Sequence, residues 1–208
     1  MDIRNTPIEP DCFYHIFNRG VNGEVIFKSQ RNYIFFLKKI KDNLWSVCDL
    51  YAYCLMSNHF HLLVKIKSDQ ELRSIAEAQK LNLGRVSNPA KVQPETGLHS
   101  PQNIFSKRFS NLFNSYSQAF NKENNRHGPL IESPFKRKLI TSEKYVRDCI
   151  IYIHQNPASK DFTDYPYSSF KSLTSESITF LKRNEVIELF DSVENFVFCH
   201  QKETDGEF

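Results

Sequence analysis

The sequence predicts one folded domain in which helices and β-strands are mixed. The chain has 208 residues, which fits a single domain or a domain with an added tail. Hydrophobic residues make up 40% and charged residues 25% of the chain, a composition that excludes a disordered chain or a fibre. Segments of alternating apolar residues are interspersed with segments of helical periodicity. No apolar stretch approaches the roughly 18 residues that are needed to cross a membrane.

The first third of the chain predicts a strand, a helix and a hairpin. Aromatic and β-branched residues indicate the strands, and the turn-like pair Ser57-Asn58 joins two of them into the hairpin. The helix has Ser29 as its cap and these apolar residues at helical spacing: Ile34, Leu37, Ile40 and Leu44. The predicted elements are a strand over 12–18, a helix over 29–45, and strands over 47–56 and 59–67.

The rest of the chain predicts mainly helices. Between two of them, residues 84–102 contain three Pro and two Gly and indicate a loop. One helix ends before Pro157, because proline cannot continue it. The longest helix carries the apolar residues Phe105, Phe109, Leu112, Phe113, Tyr116 and Phe120. The predicted elements are helices over 69–81, 103–121 and 141–155, a strand over 135–140, and a short helix near 184–190.

The charge is uneven along the chain. Residues 101–160 contain 10 Lys and Arg against 4 Asp and Glu, whereas residues 171–208 contain 4 against 8. The middle segment therefore has the character of an anion-binding surface, and the tail does not. An ordinary solvated face with some imbalance of charge is the alternative interpretation.

The cysteines and the N-terminus predict a cytoplasmic protein. The five cysteines are an odd number without a CxxC pair, and most lie among apolar residues, which indicates reduced, buried thiols (Cys12, Cys48, Cys54, Cys149 and Cys199). The first residues lack the basic start and the apolar run of a secretory signal.

Two histidines on the third predicted strand form a candidate metal site. Alternation along a strand puts Phe60, Leu62, Val64 and Ile66 on one apolar face, and it puts His59 and His61 on the other face, roughly 7 Å apart. Neutral imidazoles at this spacing can converge on one cation. No third His or CxxC stands at a zinc-like spacing, so an open site that an oxygen ligand and substrate complete would suit Mg²⁺ or Mn²⁺. The alternative is a pair of surface or hydrogen-bonded histidines.

The helix over 141–155 offers partners for that site. Its apolar stripe consists of Val146, Cys149, Ile150 and Ile153. Beside the stripe lie Tyr145, Tyr152 and Asn156, of which the last two are neighbours four residues apart. A phenol oxygen can attack phosphorus, and an amide oxygen can bind a metal. The alternative is a tyrosine at the border of the core and an asparagine that ends the helix.

Five segments in this order resemble the single-tyrosine HUH transposases, in particular the REP-associated tyrosine transposases and their bacterial insertion-sequence relatives. Asn-His-Phe-His-Leu-Leu-Val and Tyr-Ile-His-Gln-Asn-Pro carry the His pair and the tyrosine. The other three look like the family's opening strand, its glycine-to-basic-strand segment and the motif after the tyrosine helix. The five segments span 14–20, 58–64, 128–137, 152–157 and 164–170.

The resemblance implies an α+β fold of the HUH endonuclease type. Such a fold has a ferredoxin- or RRM-like antiparallel sheet with helices packed on it. By this resemblance residues 12–171 form the transposase domain, with a loop insertion at about 84–102. Residues 172–208 would be an acidic C-terminal extension.

The resemblance also implies metal-dependent cleavage and joining of single-stranded DNA, often beside a hairpin, through a 5′-phosphotyrosine. Tyr152 would be the nucleophile, His59 and His61 would hold Mg²⁺ or Mn²⁺, and Asn156 falls where relatives place a polar third ligand. Relatives occur as monomers and as dimers that exchange the tyrosine helix, so a homodimer stays open. The basic residues expected to attract DNA are Arg19, Lys107, Arg108, Lys136, Arg137 and Lys138.

Three other functions share parts of these signals. A non-catalytic or host-adopted DNA-binding protein would have the same fold and basic segment. A replication initiator or relaxase-like nickase would share the His pair and the tyrosine, although such proteins usually carry further domains. A metal-dependent hydrolase of small phosphates would not need the tyrosine.

Overall fold

The computed structural model describes residues 3–4, 6–82, 101–157 and 162–202. The predicted loop over 84–102 lies outside the described residues, except for its last two, which open a helix. Two short 3₁₀ turns, Val21–Gly23 and Phe162–Asp164, accompany the main elements. These are β1 (Phe13–Arg19), α1 (Gln30–Leu44), β2 (Cys48–Leu55), β3 (His59–Ile66), α2 (Asp69–Asn82), α3 (Pro101–Glu123), β4 (Lys136–Ile140), α4 (Glu143–Gln155), α5 (Phe170–Thr174), α6 (Arg183–Glu188) and α7 (Val193–His200).

The four strands form one antiparallel sheet in the order β2-β3-β1-β4. β2 and β3 are the predicted hairpin, which is closed by a hydrogen bond from the backbone N–H of Met56 to the carbonyl of His59 at 2.8 Å. β1 lies between β3 and β4, so the first strand of the chain is central. This is the strand order of a ferredoxin-like fold and confirms the predicted α+β class.

Helices cover both faces of the sheet. On one face Phe60, the first residue of the predicted apolar row of β3, contacts Phe36 of α1 and Phe113 of α3, with ring centroids 5.0 and 5.6 Å apart. On the other face α4 packs over the histidines, and Leu63 is fully buried beneath it. The apolar stripe predicted for α4 is confirmed, since all four of its residues are buried.

The apolar stripe predicted for α1 is confirmed at Ile40 and Leu44 and wrong at Ile34. Ile34 is 57% exposed, and the residues that face the core are Tyr33, Phe36, Ile40 and Leu44. The helix takes this orientation because its aromatic residues have partners. Tyr33 stacks on Tyr167 with ring centroids 3.6 Å apart, and Phe36 meets Phe60. A prediction based on the aliphatic residues alone misses the larger aromatic side chains, which bury more surface when they face the core.

The chain after α4 runs along the outer edge of β2. The backbone N–H of Leu55 donates to the carbonyl of Tyr167, and the N–H of Ser169 donates to the carbonyl of Tyr53, both at 2.9 Å. The edge strand is thereby paired over this stretch. The predicted helix near 184–190 is confirmed as α6, and α7 packs against α4.

The cysteines are free thiols, and three of them are buried. Burial raises the pKa of Cys54 to about 12, so this thiol stays protonated at neutral pH. Among the helices that the structure describes, none combines the length and the apolar character needed to span a membrane.

Candidate active site

The last two turns of α4 lie over the histidine end of β3. The ring of Tyr152 meets the ring of His61 edge to face, with centroids 5.6 Å apart. One turn later, the amide oxygen of Asn156 lies 3.3 Å from Nε2 of His59. Four residues that the sequence singled out are thus brought together from two elements almost a hundred positions apart.

The two nitrogens of His59 have different surroundings. Nδ1 lies 2.7 Å from the side-chain oxygen of Asn58, whereas Nε2 lies 3.3 Å from that of Asn156. Both oxygens can only accept and a neutral ring has one proton, so the shorter contact assigns the proton to Nδ1, which donates it to Asn58. Nε2 is then left with a lone pair that faces the amide oxygen of Asn156. That amide is oriented by its own nitrogen, which donates to the backbone carbonyl of Tyr152 at 3.3 Å. Two acceptor atoms therefore face each other, as two ligands of one cation do.

His61 is the more deeply placed of the pair, with 7% of its surface exposed. Its Nδ1 lies 2.9 Å from Nε2 of His15, and among the described residues nothing hydrogen-bonds its Nε2. Burial, helped by the neighbouring His15 and His59, holds the pKa of His61 well below its usual value. Burial also lowers the pKa of His59. Both rings are thus kept neutral, the form in which imidazole binds a metal.

This donor set fits an open site for a divalent cation. Two imidazole nitrogens and one amide oxygen could hold the ion, and further positions would be left for a phosphate oxygen and water. In the part of the chain that the structure describes, no group of three His, Cys, Asp or Glu residues could form a closed site.

Tyr145, the other tyrosine of α4, is directed elsewhere. The helix begins after Ser142, whose hydroxyl accepts from the backbone N–H of Tyr145 at 3.2 Å. The ring of Tyr145 lies under the ammonium of Lys138, 5.5 Å from the ring centroid. Seven residues, or about two turns, separate it from Tyr152, so only Tyr152 reaches the histidines.

The predicted DNA-binding residues are divided between the two sides of the sheet. Lys136 and Lys138 of β4 lie opposite Phe17 and His15 of β1 in the sheet, so their side chains project from the same face as the histidines. Arg19 at the end of β1 is 59% exposed and forms an ion pair with Glu132 at 2.6 Å, and Lys136 pairs with the same carboxylate at 3.2 Å. The other three residues belong to the opposite side: Arg137, which alternates to the other face of β4, and Lys107 and Arg108, which belong to α3.

Two residues of β1 complete the site without having been predicted in it. His15 contacts both His61 and Tyr152, and Phe17 stacks between His15 and the ammonium of Lys136, with centroid distances of 4.8 and 6.0 Å. The sequence does contain one indication of their role, because His15, Phe17 and Arg19 alternate along one face of β1. Its meaning depends on the pairing of β1 with β3, which no local pattern reveals.

Comparisons with known proteins support the fold. No protein-family model matches the chain, and neither does any curated protein. Among solved structures, it is similar to a REP-associated tyrosine transposase bound to a REP hairpin, with a TM-score of 0.52 and 15% sequence identity. The match covers 83% of this chain and 84% of that chain. At this identity the likeness concerns the fold alone, and the predicted HUH-type fold is confirmed.

Proposed function

We propose that the protein is a metal-dependent endonuclease and strand transferase for single-stranded DNA, acting through a 5′-phosphotyrosine. One observation carries this proposal: Tyr152 lies edge to face against His61, with Asn156 one turn later beside His59. The similar transposase is bound to a DNA hairpin, which supports a hairpin with a single-stranded flank as the substrate here.

The chemistry assigns one task to each residue. His59, His61 and Asn156 would hold Mg²⁺ or Mn²⁺, which supplies a Lewis acid for the charge that develops on the scissile phosphate. The phenol oxygen of Tyr152 attacks phosphorus, the bond to the 3′-oxygen breaks, and the proton lost by the phenol is matched by one gained at the leaving 3′-hydroxyl. A second 3′-hydroxyl can then attack the phosphotyrosine in the reverse sense. Because the ester bond is exchanged rather than hydrolysed, joining needs no ATP.

The surroundings of the site suit a polyanion that enters along β1 and β4. Lys136, Lys138 and Arg19 lie on this side, and the half-buried ring of Phe17 lies between the lysines and the histidines. Glu132 neutralises part of this charge, and Arg19 holds its pKa below the usual value. A phosphate group would therefore compete with Glu132 for Arg19 and Lys136, whereas Lys138 does not share this carboxylate.

The decisive experiment detects the covalent bond between the protein and DNA. Wild-type protein with Mn²⁺ and an end-labelled hairpin with a single-stranded flank should give a protein–DNA adduct that survives a denaturing gel. Tyr152→Phe should bind the hairpin and form no adduct, because the attacking oxygen is missing.

Tyr145→Phe is the matched control, since it removes a phenol from the same helix two turns away and should keep the adduct. An adduct in Tyr152→Phe would remove this residue from its role. Tight binding by the wild type without any adduct would leave a non-catalytic DNA-binding protein as the function.

A further inference from the structure

The geometry points to His15 as a positioning residue that holds His61 in the tautomer able to bind a metal. In this inference, Nδ1–H of His61 donates to Nε2 of His15, and Nε2 of His61 keeps its lone pair for the cation. It rests on the proposed function, because it concerns the same metal site, and it adds a residue from another strand.

His15 is completely buried beneath α4, between the site and the middle of the sheet. Its ring is parallel to that of His61, with centroids 5.1 Å apart, and its Nε2 lies 2.9 Å from Nδ1 of His61. The other ring nitrogen of His15, Nδ1, is sealed from solvent and has no hydrogen-bond partner among the described residues. The ring of His15 is sealed from solvent and lies opposite Lys138 of β4, and both the burial and the neighbouring ammonium favour its neutral form.

Two neutral rings can share this hydrogen bond in only two ways, because each carries one proton. If His15 donates from Nε2, the proton of His61 stays on its Nε2, and no lone pair is available for a metal. If His61 donates from Nδ1, its Nε2 is bare, and the proton of His15 lies on the buried Nδ1. Each ring holds one proton in both arrangements, so no change of charge is involved.

Only the second arrangement is compatible with a cation at Nε2 of His61. It also matches His59, where Nδ1 donates to Asn58 and Nε2 faces the site. Metal-binding histidines usually donate the second ring N–H to an oriented acceptor, and the loss of such an acceptor typically costs 10–100-fold in metal affinity. Nδ1 of His15 lacks a partner among the described residues in either arrangement, and in the second it carries the proton.

The test compares two substitutions in the full chain. His15→Phe keeps an aromatic ring against Phe17 and Tyr152 but removes the acceptor, so the proton of His61 should move to Nε2. We expect the affinity for Mn²⁺, measured by electron paramagnetic resonance or calorimetry, to fall about 10–100-fold. His15→Gln returns an amide oxygen to the acceptor position and should restore most of that affinity.

A second readout follows the proton directly. Long-range ¹⁵N NMR of the histidine rings should show the proton of His61 on Nδ1 in wild-type protein with Mg²⁺ and in His15→Gln. The proton should lie on Nε2 in His15→Phe. Thermal unfolding of each variant establishes that the comparison is made between folded proteins.

Each outcome decides a different point. Wild-type affinity for Mn²⁺ in His15→Phe would overturn the inference and leave the proposed function intact. Equal weakening in His15→Phe and His15→Gln would overturn it too, because packing rather than an acceptor would then be what matters. A wild-type protein that binds no Mn²⁺, with or without hairpin DNA, would contradict the metal site of the proposed function itself.

Discussion

The described residues include two buried pairs of hydrogen-bonded histidines, and the two pairs differ in how completely their nitrogens are bonded. In one pair His15 meets His61 at 2.9 Å, and in the other His154 meets His200 at 2.8 Å. The first pair leaves one nitrogen of each ring without a hydrogen bond among the described residues. The second pair leaves none, and this difference agrees with the proposal that the first pair contributes to a metal site while the second is structural.

Every proton of the second pair can be assigned. His200 donates from Nδ1 to the carbonyl of Phe196 at 2.7 Å, so its Nε2 accepts from Nδ1–H of His154. Nε2 of His154 then accepts from the hydroxyl of Ser169 at 2.7 Å, and that hydroxyl accepts from the backbone N–H of Tyr53. This chain of bonds ties α7, α4 and β2 together, and it is complete without any ligand.

The sharpest test of this comparison replaces one histidine of each pair with alanine. We expect His61→Ala to abolish metal-dependent nicking, because one of two imidazole ligands is lost. We expect His200→Ala to lower the free energy of unfolding by about 3 kcal/mol, through a cavity and an unpaired His154, and to retain nicking per folded molecule. Urea unfolding and a nicking assay corrected for the folded fraction measure the two effects. Full nicking by His61→Ala would mean that the pairs do not differ in this way.

The second pair also predicts how stability depends on pH. Burial lowers the pKa of His200 to about 4 and that of His154 well below its usual value, with the pairing contributing for His154. The unfolded chain binds protons near pH 6.5 and the folded protein does not, so stability is full above pH 6.5 and is lost toward pH 4.

We expect His200 to account for a loss of roughly 1.6 kcal/mol between pH 6.5 and 5, where the slope approaches 1.36 kcal/mol for each pH unit, and His154 to add to this loss in the same direction. Urea unfolding at both pH values tests this, and His200→Phe is the control that should make the slope shallower, although the buried His15 and His61 retain part of it. A free energy of unfolding that is unchanged at pH 5 would contradict the buried, neutral state of the pair.

The smallest expected effect concerns the charges around the first pair. Lys138 lies on the face of the histidines, whereas Lys107 belongs to α3 on the opposite side. We expect Lys138→Gln to weaken binding of the hairpin severalfold and to reduce the salt dependence by about one unit of slope, and Lys107→Gln to change neither. Fluorescence anisotropy at several salt concentrations measures this. Equal effects of both substitutions would place DNA on both sides of the sheet.

Local patterns predicted those parts of the site that lie within one element. The alternation of β3 separated the histidines from its apolar row, and the spacing of four residues on α4 joined Tyr152 to Asn156. The role of His15 was beyond such reasoning, because it depends on strand pairing between residues far apart in sequence. The basic residues were predicted as one surface because a count of charges along the chain does not record which layer of the fold each residue joins.

The segment before α5 has a consequence for assembly. Because Tyr167 and Ser169 occupy backbone groups on the outer side of β2, a second copy of the chain cannot extend the sheet at that strand unless it first displaces this segment. Ser169 also belongs to the chain of bonds through His154, so displacement would cost that network as well. A second copy that extended the sheet would therefore have to do so at the other edge, along β4.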